Sequence, residues 1–157
     1  MDIFLFFNRY LLILSFILWS GINITLGFFL IPLLRKKSIP EVRVLVFNLL
    51  RAFRRITYAC WALMIGTVSL EYFYLDAHGH FESISDVLML TGLVVFILHI
   101  IWSFYLFGIA KRNEYNPLST TERDTGLLVG GGYFNNFLIL SVIFIYAIVE
   151  ILFYLNS

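Results

Sequence analysis

Residues 10–34, YLLILSFILWSGINITLGFFLIPLL, contain no charged side chain, and the run stops at Arg35-Lys36-Lys37. A helix of about 25 residues is long enough to cross a hydrocarbon layer ~30 Å thick. A cluster of cations at one end of such a helix is retained on the cytoplasmic face. The run therefore predicts a helix entering from outside and leaving inside, which sets the sense of every later segment. Its composition fits the rest of the chain, which is 61% hydrophobic and 13% charged, with a mean hydropathy of +0.89. Apolar residues come in long blocks, without strand alternation, so the expected class is all-α. Backbone polar groups in lipid need partners within the chain. The predicted fold is a single domain over 1–157: a polytopic four-transmembrane-helix up-down bundle with helices at about 10–34, 56–74, 84–110 and 133–154.

Charge placement supports that topology. Every Lys and Arg except Arg9 falls in 35–55 or 111–132, whereas 75–83, LDAHGHFES, has neither. The expected arrangement is an integral protein of the bacterial inner (plasma) membrane. Loops 35–55 and 111–132 are then cytoplasmic and both termini lie outside. The first run exceeds the ~7–15 apolar residues of a cleavable signal, and MDIFLFFNR lacks a basic cluster, so it reads as a retained span. Within 35–55, Val42, Leu45, Val46, Leu49, Leu50 and Phe53 recur at helical spacing. That pattern predicts an amphipathic extension of the second helix, its cations drawn to anionic lipid. Charge alone is no argument for nucleic acid, so the expected partners are the bilayer and a larger membrane complex or homo-oligomer.

Ser20, Asn23 and Gly27 share one face of the first span, the kind of small or polar face that meets another helix in lipid. Ala62 and Gly66 form a second small pair. Pro32 is expected to kink or end the last turn. Asn116-Pro117 and Ser119-Thr120-Thr121-Glu122 read as a turn and a helix cap.

Chemistry-bearing motifs are few. Cys60 is the only cysteine, which excludes an internal disulfide and a CxxC site. Gly130-Gly131-Gly132 has no following Lys-Ser/Thr pair, so it is not a phosphate loop. No HExxH or Ser/His/Asp pattern occurs, which points away from an enzyme. Trp19, Trp61 and Trp102 read as packing residues.

Two constellations remain. Asn23, Thr67 and His99 each lie 11 residues from the inner end predicted for their helix, about 16 Å in depth. Polar groups there face the bundle interior, so a hydrogen-bonded midplane layer is expected; haem ligation by His99 is the competing reading. At the outer edge, His78 and His80 flank a glycine near Glu71, Asp76, Glu82 and Glu150. Imidazole and carboxylate donors suit copper(II) or zinc(II), against a plain solvated loop or an Arg9 salt bridge to Glu71 or Glu150.

Trp19-Ser20-Gly21 with Pro32-Leu33-Leu34-Arg35 resembles the first helix of CopD-like membrane proteins. Phe53-Arg54-Arg55 leading to Gly66-Thr67 resembles the next helix of that family, and Asn135-Asn136 the asparagine that starts its last helix. Related groups include the HemJ-type protoporphyrinogen oxidases. The resemblance implies a four-helix membrane fold and either copper-linked or haem-linked chemistry. HemJ-type enzymes carry a histidine early in helix one and a lysine early in helix three. Here those regions read Asn8-Arg9-Tyr10 and Ser85-Asp86-Val87, and only His99 resembles a histidine of that group. The leading expectation is a CopD-like, non-enzymatic accessory subunit or transport-related protein, with copper or another metal as a possible link. The alternative is a HemJ-type haem-dependent membrane oxidoreductase.

Overall fold

The computed structural model describes residues 3–35, 40–74 and 84–156. Among these residues the chain is helical, with no strand. Helix α1 runs Ile3–Thr25 and continues through a π turn, Leu26–Leu30, and a 3-10 turn, Ile31–Arg35. Helices α2, Pro40–Tyr74, α3, Ile84–Asn113, and α4, Glu122–Asn156, follow, with a short 3-10 turn Pro117–Ser119 before α4. Three stretches, Phe6–Arg35, Val87–Asn113 and Glu122–Val149, are long and apolar enough to cross a membrane. That is the signature of an integral membrane protein.

Local chemistry explains the helix ends. Pro40 opens α2, where a missing N–H costs nothing, and Glu41 complements the helix dipole. Lys111 and Arg112 sit in the last turn of α3, again matching the dipole. Thr121 caps α4: its hydroxyl accepts the Asp124 backbone N–H at 3.1 Å. Pro32 has no N–H to give Phe28 and its ring crowds that carbonyl. The chain responds by widening before the proline, where the Ile31 N–H reaches Leu26 O, and tightening after it.

Several expected boundaries move: the first helix begins at Ile3, seven residues before the expected start near residue 10. The second helix begins at Pro40, so the amphipathic stretch is one continuous helix with the span, and Ile56 lies in mid-helix. The second inner connection shrinks from 111–132 to the few residues between Asn113 and Glu122. Gly130–Gly132 is helical because neighbours hold it, despite glycine's weak propensity. A Cβ on Gly132 would lie 3.4 Å from Gly27 Cα, and one on Gly131 would lie 2.5 Å from Leu106 Cδ2. Consequently Asn135-Asn136 do not open the last helix; they lie more than three turns inside it.

Neighbouring helices run antiparallel. Asn8 meets Thr67 and Asn23 meets Thr57 between α1 and α2. Trp102 meets Gly131 and Asn113 meets Asp124 between α3 and α4. Two apolar clusters fill the interior. The inner one joins Leu26, Ile31 and Leu34 to Val46, Phe47 and Leu50, and to Ile109 and Val129. The other joins Trp19, Cys60, Trp61, Met64, Phe107, Ile139 and Val142. Cys60 is thus a buried free thiol used as an apolar filler. The molecule is inverted relative to a soluble domain. Ile97, Leu98, Ile101 and Phe104 face outward, while Asn8, Asn23, Thr57, His99, Asn135 and Asn136 are buried. Ser20, Asn23 and Gly27 are buried together, as their spacing predicts. Ala62 and Gly66 are instead exposed, and a Cβ on Gly66 would touch nothing within 4 Å. No helix among the described residues approaches that pair, because α2 turns its Trp61–Met64–Thr67 face inward.

Candidate functional site

The midplane residues are all buried, but their partners differ from the expected layer. Asn23 donates from Nδ2 to Trp19 O, 2.8 Å, and to Thr57 Oγ1, 3.4 Å. Thr67 donates to Leu63 O and Met64 O in its own helix and presents its carbonyl to Asn8 Nδ2 at 2.9 Å. His99 receives the Trp19 indole N–H on Nε2 at 3.0 Å. Asn23 and His99 are therefore joined through Trp19, and Thr67 belongs to a separate level with Asn8. The cause is the helix boundary. Depth in α2 counted from Ile56 puts Thr67 level with Asn23, whereas the residue opposite Asn23 is Thr57, about 15 Å away along α2.

His99 is fully buried. Trp19 and Trp61 stand edge-on to its ring at centroid distances of 5.0 and 5.8 Å, and Phe96 stacks at 6.2 Å. Because Trp19 donates to Nε2, the neutral imidazole carries its proton on Nδ1. That N–H finds no hydrogen-bond partner among the described residues, and neither does the Trp61 Nε1–H. One turn on, Ser103 gives its proton to Asn135 Oδ1 at 3.0 Å. Its 3.4 Å approach to His99 Nε2 is then a contact without a proton, since the single Nε2 lone pair is already engaged. Asn136, fully buried, donates from Nδ2 to Ile24 O at 3.2 Å, just above the π turn, and packs on Gly27. The result is a set of neutral polar ties that together involve all four helices at mid-height.

Several of these residues were open to discovery in the sequence. Ser103 is four residues after His99, on the same face of α3. Thr57, Asn135 and Asn136 are polar groups in apolar helices, where such groups turn inward. Trp19 was the least visible: an indole reads as packing until its N–H is seen to have an acceptor.

Haem does not fit this site. The Nε2 lone pair of His99 is used by Trp19, and aromatic rings surround the imidazole. The neighbouring cavity, lined by Asn23, Ser103 and Asn135 among apolar side chains, measures about 20 Å³, far below a porphyrin. Of the proposed outer donors, Asp76, His78, His80 and Glu82 lie outside the described residues, as do the side chains of Glu71 and Glu150. Among the described residues, no three His, Cys, Asp or Glu side chains form a metal-sized group.

A second polar centre closes the basic end of the bundle, where α3 connects to α4. Glu114, its side chain 4% exposed, takes Arg54 on both carboxylate oxygens at 2.6 and 3.2 Å, and Arg51 at 3.2 Å. Asn113 Nδ2 donates to Asp124 at 3.0 Å. Buried Arg43 donates to Thr120 O and Thr125 Oγ1. These bonds fasten the connection between α3 and α4 onto α2.

No protein-family model, curated protein or solved structure matches this chain.

Proposed function

We propose that the chain is a four-span membrane protein that works without catalysis, as an accessory or transport-related component. The observation that carries this reading is the closure of its interior. The polar groups at mid-height bond mostly to the bundle's own side chains and backbone, and the space beside them is about 20 Å³.

The fourth span is α2. Its contacts support a crossing: α2 accompanies α1 from Asn8 at one end to the Leu34–Val46 level at the other. At 35 residues α2 is roughly 50 Å long, so it can cross and still project on the basic side. With four crossings, both termini lie opposite the Arg35–Lys37 and Lys111-Arg112 clusters, and the positive-inside tendency makes that side the outside. Accessibility labelling in a Cys60→Ala background tests this. A cysteine at position 38 should react only from the cytoplasmic side; reaction only from outside overturns the orientation.

Function is tested on protein extracted gently from native membranes. An accessory subunit migrates with a larger membrane protein in constant ratio, and its absorption spectrum lacks a Soret band. Stoichiometric haem would restore the oxidoreductase reading. The copper link rests on the outer-loop histidines, and metal titration of wild type against a His78→Ala/His80→Ala variant decides it, identical isotherms removing it.

A further inference from the structure

The cavity between Asn23, Ser103 and Asn135 lies between the two apolar clusters, where all four helices contribute to its wall. Its volume of about 20 Å³ exceeds the ~10–15 Å³ needed to hold one water and is too small for a larger ligand. Leu26, Leu106 and Leu128 line much of the remainder.

The donor set narrows the occupant. Asn23 uses its amide nitrogen on Trp19 O and Thr57 Oγ1, which leaves Oδ1 as an acceptor. Ser103 uses its proton on Asn135 Oδ1, which leaves the hydroxyl oxygen as a second acceptor. The same bond orients the Asn135 amide, so Nδ2 remains as a donor. Two acceptors and one donor match a single water that donates twice and accepts once. Three hydrogen bonds is the usual number for a buried water. A metal cation is a poor match. It would need about six oxygen ligands, the wall supplies few and no carboxylate, and the Asn135 amide hydrogens would oppose it.

We propose that Asn23, Ser103 and Asn135 hold one ordered water at mid-height of the bundle, tying α1, α3 and α4 together beside His99. The site is independent of the accessory reading, since a water bound there is compatible with any function. It joins the Ser103–Asn135 pair to Asn23, beside the Trp19–His99 bond.

Isotopically labelled protein in lipid nanodiscs tests it by two measurements on the wild type. Water-to-amide magnetisation transfer should reach the side-chain amides of Asn23 and Asn135. It should miss Asn136, whose amide is fully buried against Gly27 and Ile24. Xenon under pressure should leave the Leu106 and Leu128 methyl signals unmoved, because xenon enters dry apolar cavities. Absence of the Asn135 cross-peak overturns the site, whether or not xenon enters. Xenon-induced shifts at both leucines identify the space as a dry packing void and also overturn it.

Discussion

The basic end and the mid-height of the bundle solve one problem with different chemistry. Both must tie helices together through polar groups. At the basic end the ties are charged: Glu114 with Arg51 and Arg54, Asp124 with Asn113, and Arg43 with Thr120 and Thr125. At mid-height every tie is neutral: Trp19 to His99, Ser103 to Asn135, Asn23 to Thr57, Asn136 to Ile24. The difference follows from solvation. Arg51, with 43% of its side chain exposed, keeps much of its hydration, and Glu114, at 4%, is compensated by two guanidinium groups. Deep among apolar side chains the same ion would lose several kcal/mol, of order, before any partner compensated it. A neutral hydrogen bond has no such debt. Gly27 and Asn136 mark the junction between the two regimes, at the π turn.

The largest expected effect is at that junction. Gly27→Ala places a Cβ 2.5 Å from Asn136 Oδ1 and 2.6 Å from Nδ2. Asn136 is fully buried and bonded to Ile24 O, so it has nowhere to move. A loss of about 3 kcal/mol is expected, the upper end for overpacking, read as a fall in thermal stability in detergent. Gly131→Ala is the internal comparison: its Cβ would meet the tip of Leu106, a buried side chain that borders the cavity of about 20 Å³ and can shift toward it, so the loss should be clearly smaller. Equal losses would show that the π-turn contact has no special rigidity.

Next comes Glu114→Ala. It strands Arg54, whose side chain is 14% exposed, and Arg51, which water can still reach. A fully buried pair would lose ~3–5 kcal/mol; exposure of Arg51 lowers the expectation to about 2 kcal/mol. Wild-type stability should fall as salt is raised and the variant's should not, because screening acts on charged ties. A salt response that survives in the variant would place the sensitive charges elsewhere.

Trp19→Phe should have the smallest effect of the three. It removes the donor from His99 Nε2 while keeping an aromatic ring between Phe16 and Phe96. About 0.6 kcal/mol is expected, the average for an intramembrane hydrogen bond, because the Ser103 hydroxyl, 3.4 Å away, can turn its proton to the freed Nε2. Its stability should be indifferent to salt, in contrast to the basic end. A salt-dependent loss would break the division between charged and neutral ties.

Much of the architecture can be read from residue order because it follows from local composition. The uncharged run of 10–34, its stop at Arg35, the helical spacing from Val42 to Phe53, the Thr121 cap and the inward face of Ser20, Asn23 and Gly27 are all properties of neighbouring residues. Helix α2 is continuous from Pro40 because its amphipathic and apolar parts share one helical period. Partnership is not local. Whether Thr67 or Thr57 faces Asn23 depends on where α2 begins and how it leans on α1. Whether Gly130–Gly132 is loop or helix depends on Gly27 and Leu106 arriving from elsewhere in the chain. Trp19 becomes a hydrogen-bond donor only because α3 brings the His99 lone pair to it across 80 residues of sequence. Hydropathy and charge act on a segment through its surroundings and so are written along the chain. A hydrogen bond needs two groups within about 3 Å, and only the packed bundle sets that distance.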